Sequence, residues 1–418
     1  MNTVKKILVI VDSIDINDSS GSKANVSLIL NLHKIGYKIK VFHYSRKEIQ
    51  LDEIECISVA ERKWSLFYVL SRAQRIFTRL TKININPIVE SLLGFSFTFF
   101  NDVKSIKKAI YGEKDLDIDL VITLSQGTSF RPHYALLKLP QYHIKWLAYV
   151  HDPYPQHLYP RPYNFIEYGF KKKRYFFRDV TINAYKLVFP SMLLKDWMQS
   201  YFKYVEGKSL IIPHQMSKTA FVKASLPHYF DADKFNLLHA GNLLDLRDPK
   251  PLVLAYEKFL LEMPLAKEDT MFFFLGSKSV FHDFLYKKQQ VMPQLYVSDG
   301  YVNFNDVFAM QRQVAVNIIL EAKSEISPFL PGKFPHCVAA NKPILVVGPY
   351  YSECKRLLGE NYPYVFDFNE VDKIKESIKG LYLKWKENDH VLTLNRSDLE
   401  HYLSSDYLKE VIEKQDTI

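Results

Sequence analysis

The chain has 418 residues, of which 47% are hydrophobic and 24% are charged. This length exceeds that of one ordinary domain, roughly 100–200 residues, so we expect two domains with separate cores, and the composition excludes a disordered or fibrous protein. The three cysteines have neither disulfide nor metal-ligand spacing, which favours a reducing compartment and a cytoplasmic protein. The net charge of +9 indicates an anionic partner such as a nucleotide, a phospholipid surface or nucleic acid.

The first half of the chain alternates apolar segments with amphipathic ones. A strand is predicted at residues 6–11, and Asp12 ends this apolar run too early for a signal peptide or a membrane span. A polar loop then leads to a helix over residues 22–35, which ends before a second strand. The pattern of residues 64–110 is mainly helical. Further strands are predicted at residues 38–43, 120–124, 146–150, 186–190 and 209–212.

A basic amphipathic helix is predicted within residues 64–110. Arg72, Arg75, Arg79 and Lys82 recur at helical spacing. Apolar residues occupy the other side, namely Leu66, Val69, Leu70, Ala73, Ile76, Phe77 and Leu80. Residues 171–178 repeat the mixture of cations and aromatic rings. Such a helix either lies in an anionic lipid interface, which would make the protein peripheral on the inner face of the cell membrane, or packs on its own domain with a solvated basic face.

The second half forms another α/β series after a weakly periodic link at residues 218–234. Strands are predicted at residues 236–240, 271–275, 294–297, 315–320 and 344–347, with helices between them. The fold class is therefore α/β, with two doubly wound domains facing a cleft. We expect the domains to span residues 1–217 and 235–390. A last helix near residues 397–414, within residues 391–418, is expected to pack back on the first domain.

An anion site is predicted where a proline-broken loop meets a helix in the segment 326–349. Pro328 and Pro331 keep the loop out of a helix, Gly332 allows close approach of backbone, and Lys333 opens the helix with a full positive charge. The alternative is a loop with a purely structural role.

A second loop of the same domain carries another cation. A predicted strand ends just before Gly241 and Asn242. Arg247 follows in the loop, and its guanidinium can hold two phosphate oxygens. With Lys333 it would balance a diphosphate, whereas the plain alternative is a surface pair with Asp245 or Asp248. Gly276, after the next strand, is expected to allow close backbone approach.

In the first domain, His151 and Asp152 are expected to follow a strand. The histidine is a candidate base or hydrogen-bond donor for an acceptor hydroxyl. Asp152 could orient this histidine or contact the hydroxyl itself. Gly21 and Ser22, placed in the first loop, are candidates for substrate contact. The sequence has no dinucleotide fingerprint, no P-loop, no paired metal-binding histidines and no nucleic-acid-binding motif.

With these positions placed, the sequence resembles the GT-B glycosyltransferases, in particular the family-4 group that builds bacterial surface polysaccharides. The resemblance rests on VHDP, KLVFPS, SLIIPH, LLHAGN, FFFLG and PGKF with NKPILVVGP. It implies two Rossmann-like domains, a nucleotide-diphosphate sugar donor, UDP-linked, held by the C-terminal domain, and a saccharide or lipid-linked saccharide acceptor held by the N-terminal one. It also implies a retaining reaction without a metal or another cofactor.

The resemblance assigns roles by position. Arg247 and Lys333 would face the donor diphosphate and act in catalysis with His151 and Asp152. The remaining donor residues would be Gly241, Asn242, Gly276, Ser327, Phe329, Leu330, Pro331, Gly332 and His336, and the acceptor residues Gly21, Ser22, His151 and Asp152. His336 stands where the family has a ribose-binding Glu, and Asn242 where many members have Arg; Glu325 is the alternative carboxylate.

Two rival functions remain at the level of sequence. A nucleotide-sugar epimerase of the same architecture would need no acceptor, but the loop DSIDINDSSG lacks the signature of such epimerases. A catalytically inactive GT-B scaffold protein is the other rival, because His336 and Asn242 depart from the family pattern.

Overall fold

The structure is a computed structural model that describes residues 5–113, 117–216 and 226–414. Its contacts divide the chain into two compact units. The first contains the N-terminal part to Tyr159, Tyr163–Gln215 and the chain from Ser404 on, and the second contains Pro160–Pro162 and Met216–Leu403. The predicted link at residues 218–234 lies partly outside the described residues.

The first unit is built on one parallel sheet of seven strands. Its strands are β1 (Lys6–Val11), β2 (Lys38–His43), β3 (Glu55–Ser58), β4 (Leu120–Leu124), β5 (Trp146–Tyr149), β6 (Lys186–Phe189) and β7 (Ser209–Ile211). Its helices include α1 (Ser20–Lys34), α2 (Leu66–Thr81), α3 (Asn86–Leu93), α4 (Phe97–Tyr111), α5 (Arg131–Leu137), α6 (Phe170–Asn183) and α7 (Met192–Tyr201). The strand order is β3-β2-β1-β4-β5-β6-β7, so the order reverses between β1 and β4.

Both faces of this sheet are buried, which explains its continuous apolar strands. Successive side chains of a strand point to opposite faces. Leu8 and Ile10 of β1 accordingly join one hydrophobic cluster, while Ile7, Val9 and Val11 join another on the opposite face.

The second unit repeats the plan with a six-stranded parallel sheet. The strands of this unit, six of which form the sheet, are β8 (Phe235–Ala240), β9 (Thr270–Leu275), β10 (Leu295–Val297), β11 (Val316–Leu320), β12 (Ile326–Ser327), β13 (Ile344–Val347), β14 (Tyr351–Ser352) and β15 (Val365–Phe366). Its helices are α8 (Lys250–Glu262), α9 (Ala266–Asp269), α10 (His282–Val291), α11 (Phe304–Gln313), α12 (Phe334–Ala339), α13 (Glu353–Leu358), α14 (Val371–Glu387) and α15 (Ser397–Tyr402). The order is β10-β9-β8-β11-β13-β15, with β12 and β14 forming a separate pair. The expected α/β class with two Rossmann-like units is confirmed.

The last helix, α16 (Ser405–Glu413), returns to the first unit and packs against α1, as expected. Leu408 and Ile412 are buried in the cluster that also contains Val9. The prediction of one helix over residues 397–414 was wrong, because α15 ends before Ser404, whose hydroxyl caps the next helix by accepting from the amides of Asp406 and Tyr407.

The other differences from the predicted elements are short strands and divided helices. β3, β12, β14 and β15 have only two to four residues, too few to show a periodic pattern. Residues 64–110 form three helices, and Pro87 lies in the first turn of the middle one.

Replacement of Leu408 by alanine should destabilise the protein by about 2–4 kcal/mol, because it leaves a cavity in a closed core. Urea unfolding followed by circular dichroism measures the loss. Leu265→Ala, at an exposed position of the second unit, is the matched control and should change stability little. Equal effects of the two substitutions would contradict the packing of α16.

Candidate functional site

The candidate site of the second unit lies at the carboxyl ends of its central strands. Gly241, Gly276, Glu321 and Gly348 directly follow β8, β9, β11 and β13. The order of strands reverses between β8 and β11, and ligands of open parallel sheets bind outside the carboxyl ends at such a point. The topology therefore concentrates these loops at the position suited to a ligand.

Lys333 brings a buried ammonium group to this place. Its Nζ has no hydrogen-bond partner within the described residues, and a Cβ atom at Gly241 would lie 2.8 Å from it. Burial, followed by the positive charge of Arg247, lowers the pKa of Lys333 to about 7. A buried, unpaired ammonium is unfavourable on its own, so this arrangement fits an anionic ligand.

The helix after Lys333 contributes less than the sequence suggested. Lys333 is the N-cap and does not open the helix; α12 starts at Phe334 and has six residues. A helix this short has a weak dipole, because few peptide units are aligned. The positive charge of the site therefore comes mainly from side chains.

Arg247 supplies the second charge. Its Nη1 donates to the carbonyl of Asn242 at 3.3 Å, and its buried Nε has no hydrogen-bond partner in the described part of the chain. Within those residues it forms no ion pair with Asp245 or Asp248, the alternative raised by the sequence. Its charge depresses the pKa of the Lys333 ammonium, so the two cations lie near enough to repel each other.

Two glycines make the close packing of this region sterically feasible. Gly241 has φ of +140°, in the range that disfavours side chains, and a Cβ there would meet Lys333. A Cβ at Gly276 would lie 2.7 Å from the carbonyl oxygen of Gly241. Asn242 Oδ1 accepts from the Ser277 amide at 3.0 Å and ties the two loops together.

Glu321 is a buried acid that the sequence analysis did not single out. Its Oε1 accepts from the Ser327 hydroxyl at 2.7 Å, and burial raises the pKa of Glu321 to about 7. The pairing of β12 with β14 places Ser327 opposite Ser352. A carboxylate directly after an apolar strand was the available signal, because such a residue lies at the ligand-facing end of a parallel sheet.

The residues of the loop 327–332 differ in how far their side chains are buried. The side chain of Leu330 packs into the hydrophobic cluster of Phe334, so only its backbone is available to a ligand. Phe329, Pro331 and Gly332 are half-buried.

The two residues considered as ribose ligands differ in their exposure to solvent. His336 is buried, and its ring lies 5.2 Å from that of Phe304 and 5.8 Å from that of Phe308. Glu325 is exposed, and its backbone amide donates to the Arg161 carbonyl.

In the first unit, His151 is held by hydrogen bonds on both ring nitrogens. Asn25 donates its amide to the Ser125 carbonyl, so its Oδ1 is free to accept from His151 Nε2 at 2.7 Å. His151 Nδ1 then accepts from His214 Nε2 at 3.2 Å. Burial, and next the charge of His214, lowers the pKa of His151 well below its usual value. This ring is therefore a neutral positioning group in the structure.

The first unit also contains a polar cavity of about 470 Å³ at the carboxyl ends of β1, β2 and β4. These strands surround the point where the strand order reverses. The cavity is lined by acids, bases and hydroxyls, namely Asp12, Ser13, Asp15, Asp18, Tyr44, Ser45, Arg46, Lys47, Arg75, Thr98, Asp102, Gln126, Ser129 and Arg131. Most of these residues lie in loops, whereas Arg75, Thr98, Asp102 and Arg131 lie on helices α2, α4 and α5.

A network centred on Asp102 holds one wall of this cavity. The carboxylate accepts from the Tyr44 hydroxyl at 2.8 Å and pairs with Arg131 Nε at 3.0 Å and Arg46 at 3.4 Å. Arg131 Nη1 also donates to Ser129, whose hydroxyl donates to Asp12. Burial raises the pKa of both Asp12 and Asp102, and Arg131 opposes this shift. The wall presents fixed donors and acceptors, as recognition of hydroxyl groups requires.

Gly21 and Ser22 lie beside this cavity, although not in a loop as predicted. Both belong to the first turn of α1, because the Ser19 side chain caps the helix earlier than expected by accepting from the Ser22 amide. A Cβ at Gly21 would lie 3.3 Å from Gln126, which lines the cavity. Asp152 is half-buried beyond β5.

The described residues contain neither a metal-binding cluster nor a membrane-spanning helix. No cluster of three or more histidines, cysteines or acids is arranged to hold a metal ion. No described helix combines the length and the apolar character that a bilayer crossing requires.

Comparison with known proteins relates the chain to solved structures. No protein-family model matches the sequence, and neither does any curated protein. Anabaena HepE, solved with UDP and glucose, is 10% identical with a TM-score of 0.59 over 99% of this chain and 100% of that one. The Burkholderia xenovorans α,α-trehalose-phosphate synthase (UDP-forming), solved with glucose-6-phosphate, is 10% identical with a TM-score of 0.60, over 98% of this chain and 99% of that one. WaaG, a glycosyltransferase involved in lipopolysaccharide biosynthesis, is 10% identical with a TM-score of 0.52, over 93% of this chain and 94% of that one. At these identities, the likeness establishes the fold.

Replacement of Lys333 by methionine should stabilise the protein at pH 6 by on the order of 5 kcal/mol, because it removes an unpaired buried charge. Between pH 7 and about 10.5 the unfolded chain holds a proton that the folded chain has released. Wild-type stability therefore rises with pH in this window, and the advantage of the variant shrinks. Urea unfolding at pH 6 and pH 9 measures both effects.

Lys173→Met is the matched control for this prediction. Lys173 is also buried, but it pairs with Glu167 at 2.8 Å and Glu90 at 3.0 Å, so its loss should destabilise the protein. If Lys333→Met were destabilising at pH 6 as well, the ammonium would have a partner and the assignment of an open anion site would be wrong.

Proposed function

We propose that the protein is a glycosyltransferase. It moves a sugar from a nucleotide-diphosphate sugar, UDP-linked, to a saccharide or lipid-linked saccharide acceptor in surface polysaccharide synthesis. The buried ammonium of Lys333, without a partner in the described residues and next to Arg247, is the observation that carries this proposal. Three features support it further: the strand-end position of these cations, the fold shared with WaaG, and the UDP in the HepE structure.

The two cations would act on the leaving group. Departure of the nucleoside diphosphate concentrates negative charge on its phosphate oxygens in the transition state. Lys333 and Arg247 already occupy fixed positions, so they meet this charge without reorganisation. A bound diphosphate also restores the ordinary pKa of Lys333, because an adjacent anion favours the protonated amine. Two fixed cations make a metal ion unnecessary for this step.

Glu321 is the acid that we assign to hydroxyl recognition on the donor side. It is buried at the end of β11, next to β8 and its Gly241 loop, whereas His336 packs against aromatic rings. With a pKa near 7, its carboxyl group can accept from a hydroxyl when ionised and donate when protonated.

The acceptor is assigned to the polar cavity of the first unit. Its alternating carboxylates, guanidinium groups and hydroxyls suit a polyhydroxylated ligand. His151, with both ring nitrogens engaged, would position this region and would not take up a proton. The acceptor proton would then pass to the departing phosphate, which suits retention of the anomeric configuration.

Replacement of either Lys333 or Arg247 by alanine should weaken UDP binding about 10- to 100-fold, since each removes a charge-assisted contact to phosphate. Isothermal titration with UDP gives the affinity, and circular dichroism shows whether the fold is retained. Lys384→Ala, at an exposed position of α14, is the matched control and should bind as the wild type does. Wild-type affinity in both site variants would overturn the diphosphate site.

Product analysis separates this proposal from its two rivals. A transferase releases free nucleotide from the donor, whereas an epimerase returns an intact nucleotide sugar with altered configuration. A scaffold protein that has lost the site would bind no UDP at millimolar concentration.

The affinity for UDP should fall about tenfold for each pH unit above pH 7.5, because binding requires protonated Lys333 and its pKa in the free protein is about 7. The phosphates of UDP are ionised and its uracil ring stays neutral between pH 7.5 and 8.5. Titrations at pH 7.5, 8.0 and 8.5 measure the slope, and Lys333→Ala should remove it. A pH-independent wild-type affinity would show that Lys333 does not contact the diphosphate.

A further inference from the structure

Helix α2 turns its apolar side away from the domain. Leu66, Val69, Ile76 and Leu80 follow each other at helical spacing and are all exposed; we call them the apolar row. Exposed apolar side chains precede and follow the row along the chain, namely Trp64, Ile83, Ile88 and Leu92. Contiguous exposed apolar surface of this kind marks a binding surface.

The other side of the same helix packs against α4. Ser71 is the only residue of α2 that is buried, while Phe67, Leu70 and Thr78 are half-buried. The ring of Phe67 stacks 5.1 Å from that of Phe100 in α4. Helix α2 is therefore packed on its own domain through this side, and the apolar row is left facing away from that contact.

The charge around the row is mainly positive. Residues 62–89 contain six cations and no carboxylate, in a chain whose net charge is +9. The cations are Arg62, Lys63, Arg72, Arg75, Arg79 and Lys82. Arg72 pairs with Glu61 at 3.5 Å and Arg75 donates to Thr98, whereas Arg79 and Lys82 are exposed beside the row. An anionic bilayer attracts this combination of cations with leucine, isoleucine and tryptophan.

The neighbouring helix α3 is fixed to α6, so this surface is held in place. Buried Lys173 of α6 pairs with Glu90 of α3, and Lys172 donates to the Leu92 carbonyl at the end of α3. A Cβ at Gly94 would lie 2.8 Å from Lys172. This corrects the expectation that residues 171–178 act together as a lipid-binding group, since Lys172 and Lys173 have structural roles.

We propose that α2 docks on an anionic phospholipid bilayer, with the apolar row in the interface and with Arg79 and Lys82 on headgroup phosphates. The consequence for the acceptor rests on the proposed function. Arg75 of α2 donates to Thr98 at 3.2 Å, and both line the acceptor cavity. The docked helix thus forms part of the cavity wall, which brings that wall to the level of the headgroups. The acceptor is therefore a saccharide carried on a membrane lipid.

Vesicle co-sedimentation of the full chain tests the docking. Wild-type protein should bind vesicles of phosphatidylcholine with phosphatidylglycerol and should bind pure phosphatidylcholine far less. The double variant Leu66→Ser/Leu80→Ser should lose at least about tenfold in partitioning, because it removes two interfacial leucines. Arg79→Gln/Lys82→Gln should lose about fivefold for each removed charge, and only on the anionic vesicles.

A matched control separates the apolar row from general surface hydrophobicity. Leu261 and Leu265 of the second unit are 68% and 77% exposed, against 69% and 77% for Leu66 and Leu80. Leu261→Ser/Leu265→Ser should partition as the wild type does. Equal recovery with neutral and anionic vesicles would overturn the proposal, as would equal partitioning of the row variant and this control. A purified protein that binds neither vesicle type would indicate that another protein covers the row.

UDP titration of the same variants keeps the two proposals distinguishable. If the row variant loses vesicle binding but still binds UDP, the docking surface is confirmed independently of the donor site. If the wild type binds vesicles but not UDP, docking stands and the transferase proposal fails.

Discussion

The unpaired ammonium of Lys333 is the constraint around which the second unit is arranged. An isolated charge in the interior is unfavourable by several kcal/mol, in order of magnitude, unless an opposite charge compensates it. Arg247 adds a second positive charge where a carboxylate would have relieved the first. Gly241 lacks a side chain at the point where the ammonium needs space, and Gly276 allows the Gly241 backbone to approach. These features agree with the proposed binding of an anionic ligand, because the described residues supply no ion-pair partner for Lys333.

The two units use the same topology for different chemistry. Each has a parallel sheet whose order reverses next to its first strand, and each gathers polar residues at the carboxyl ends of the strands around that point. In the second unit Lys333 and Arg247 have no ion-pair partner in the described residues, and the nearby acid Glu321 has a raised pKa because it is buried. In the first unit Arg131 pairs with Asp102 and Asp12, and Arg46 pairs with Asp102, so the cavity favours hydroxyls over a free phosphate. The charge balance, more than the fold, separates the proposed donor site from the proposed acceptor site.

Much of the fold was predictable because buried parallel strands are continuous apolar runs bounded by turns. The predicted bounds of β1, β2, β4 and β13 agree with the structure residue for residue, while two-residue strands such as β12 carry no periodic signal. The sequence placed Lys333 and Arg247 in loops, but their approach depends on packing of the segments between them. The Asp102 network joins residues from separate helices and loops, and no local pattern reports such pairs. The outward direction of the apolar row was also hidden, because a hydrophobic stripe looks the same whether it covers a core or faces away from it.

The return of α16 has a consequence for biosynthesis. Leu408 and Ile412 complete a core that begins with Val9, so nearly the whole chain separates residues that must touch. The ribosome releases the N-terminal end long before the C-terminal end, and domains generally fold as units during synthesis. The second unit is continuous apart from a short excursion at Pro160–Pro162, so most of it can fold first. The cluster around Val9 in the N-terminal unit can therefore be completed only after the final helix has emerged.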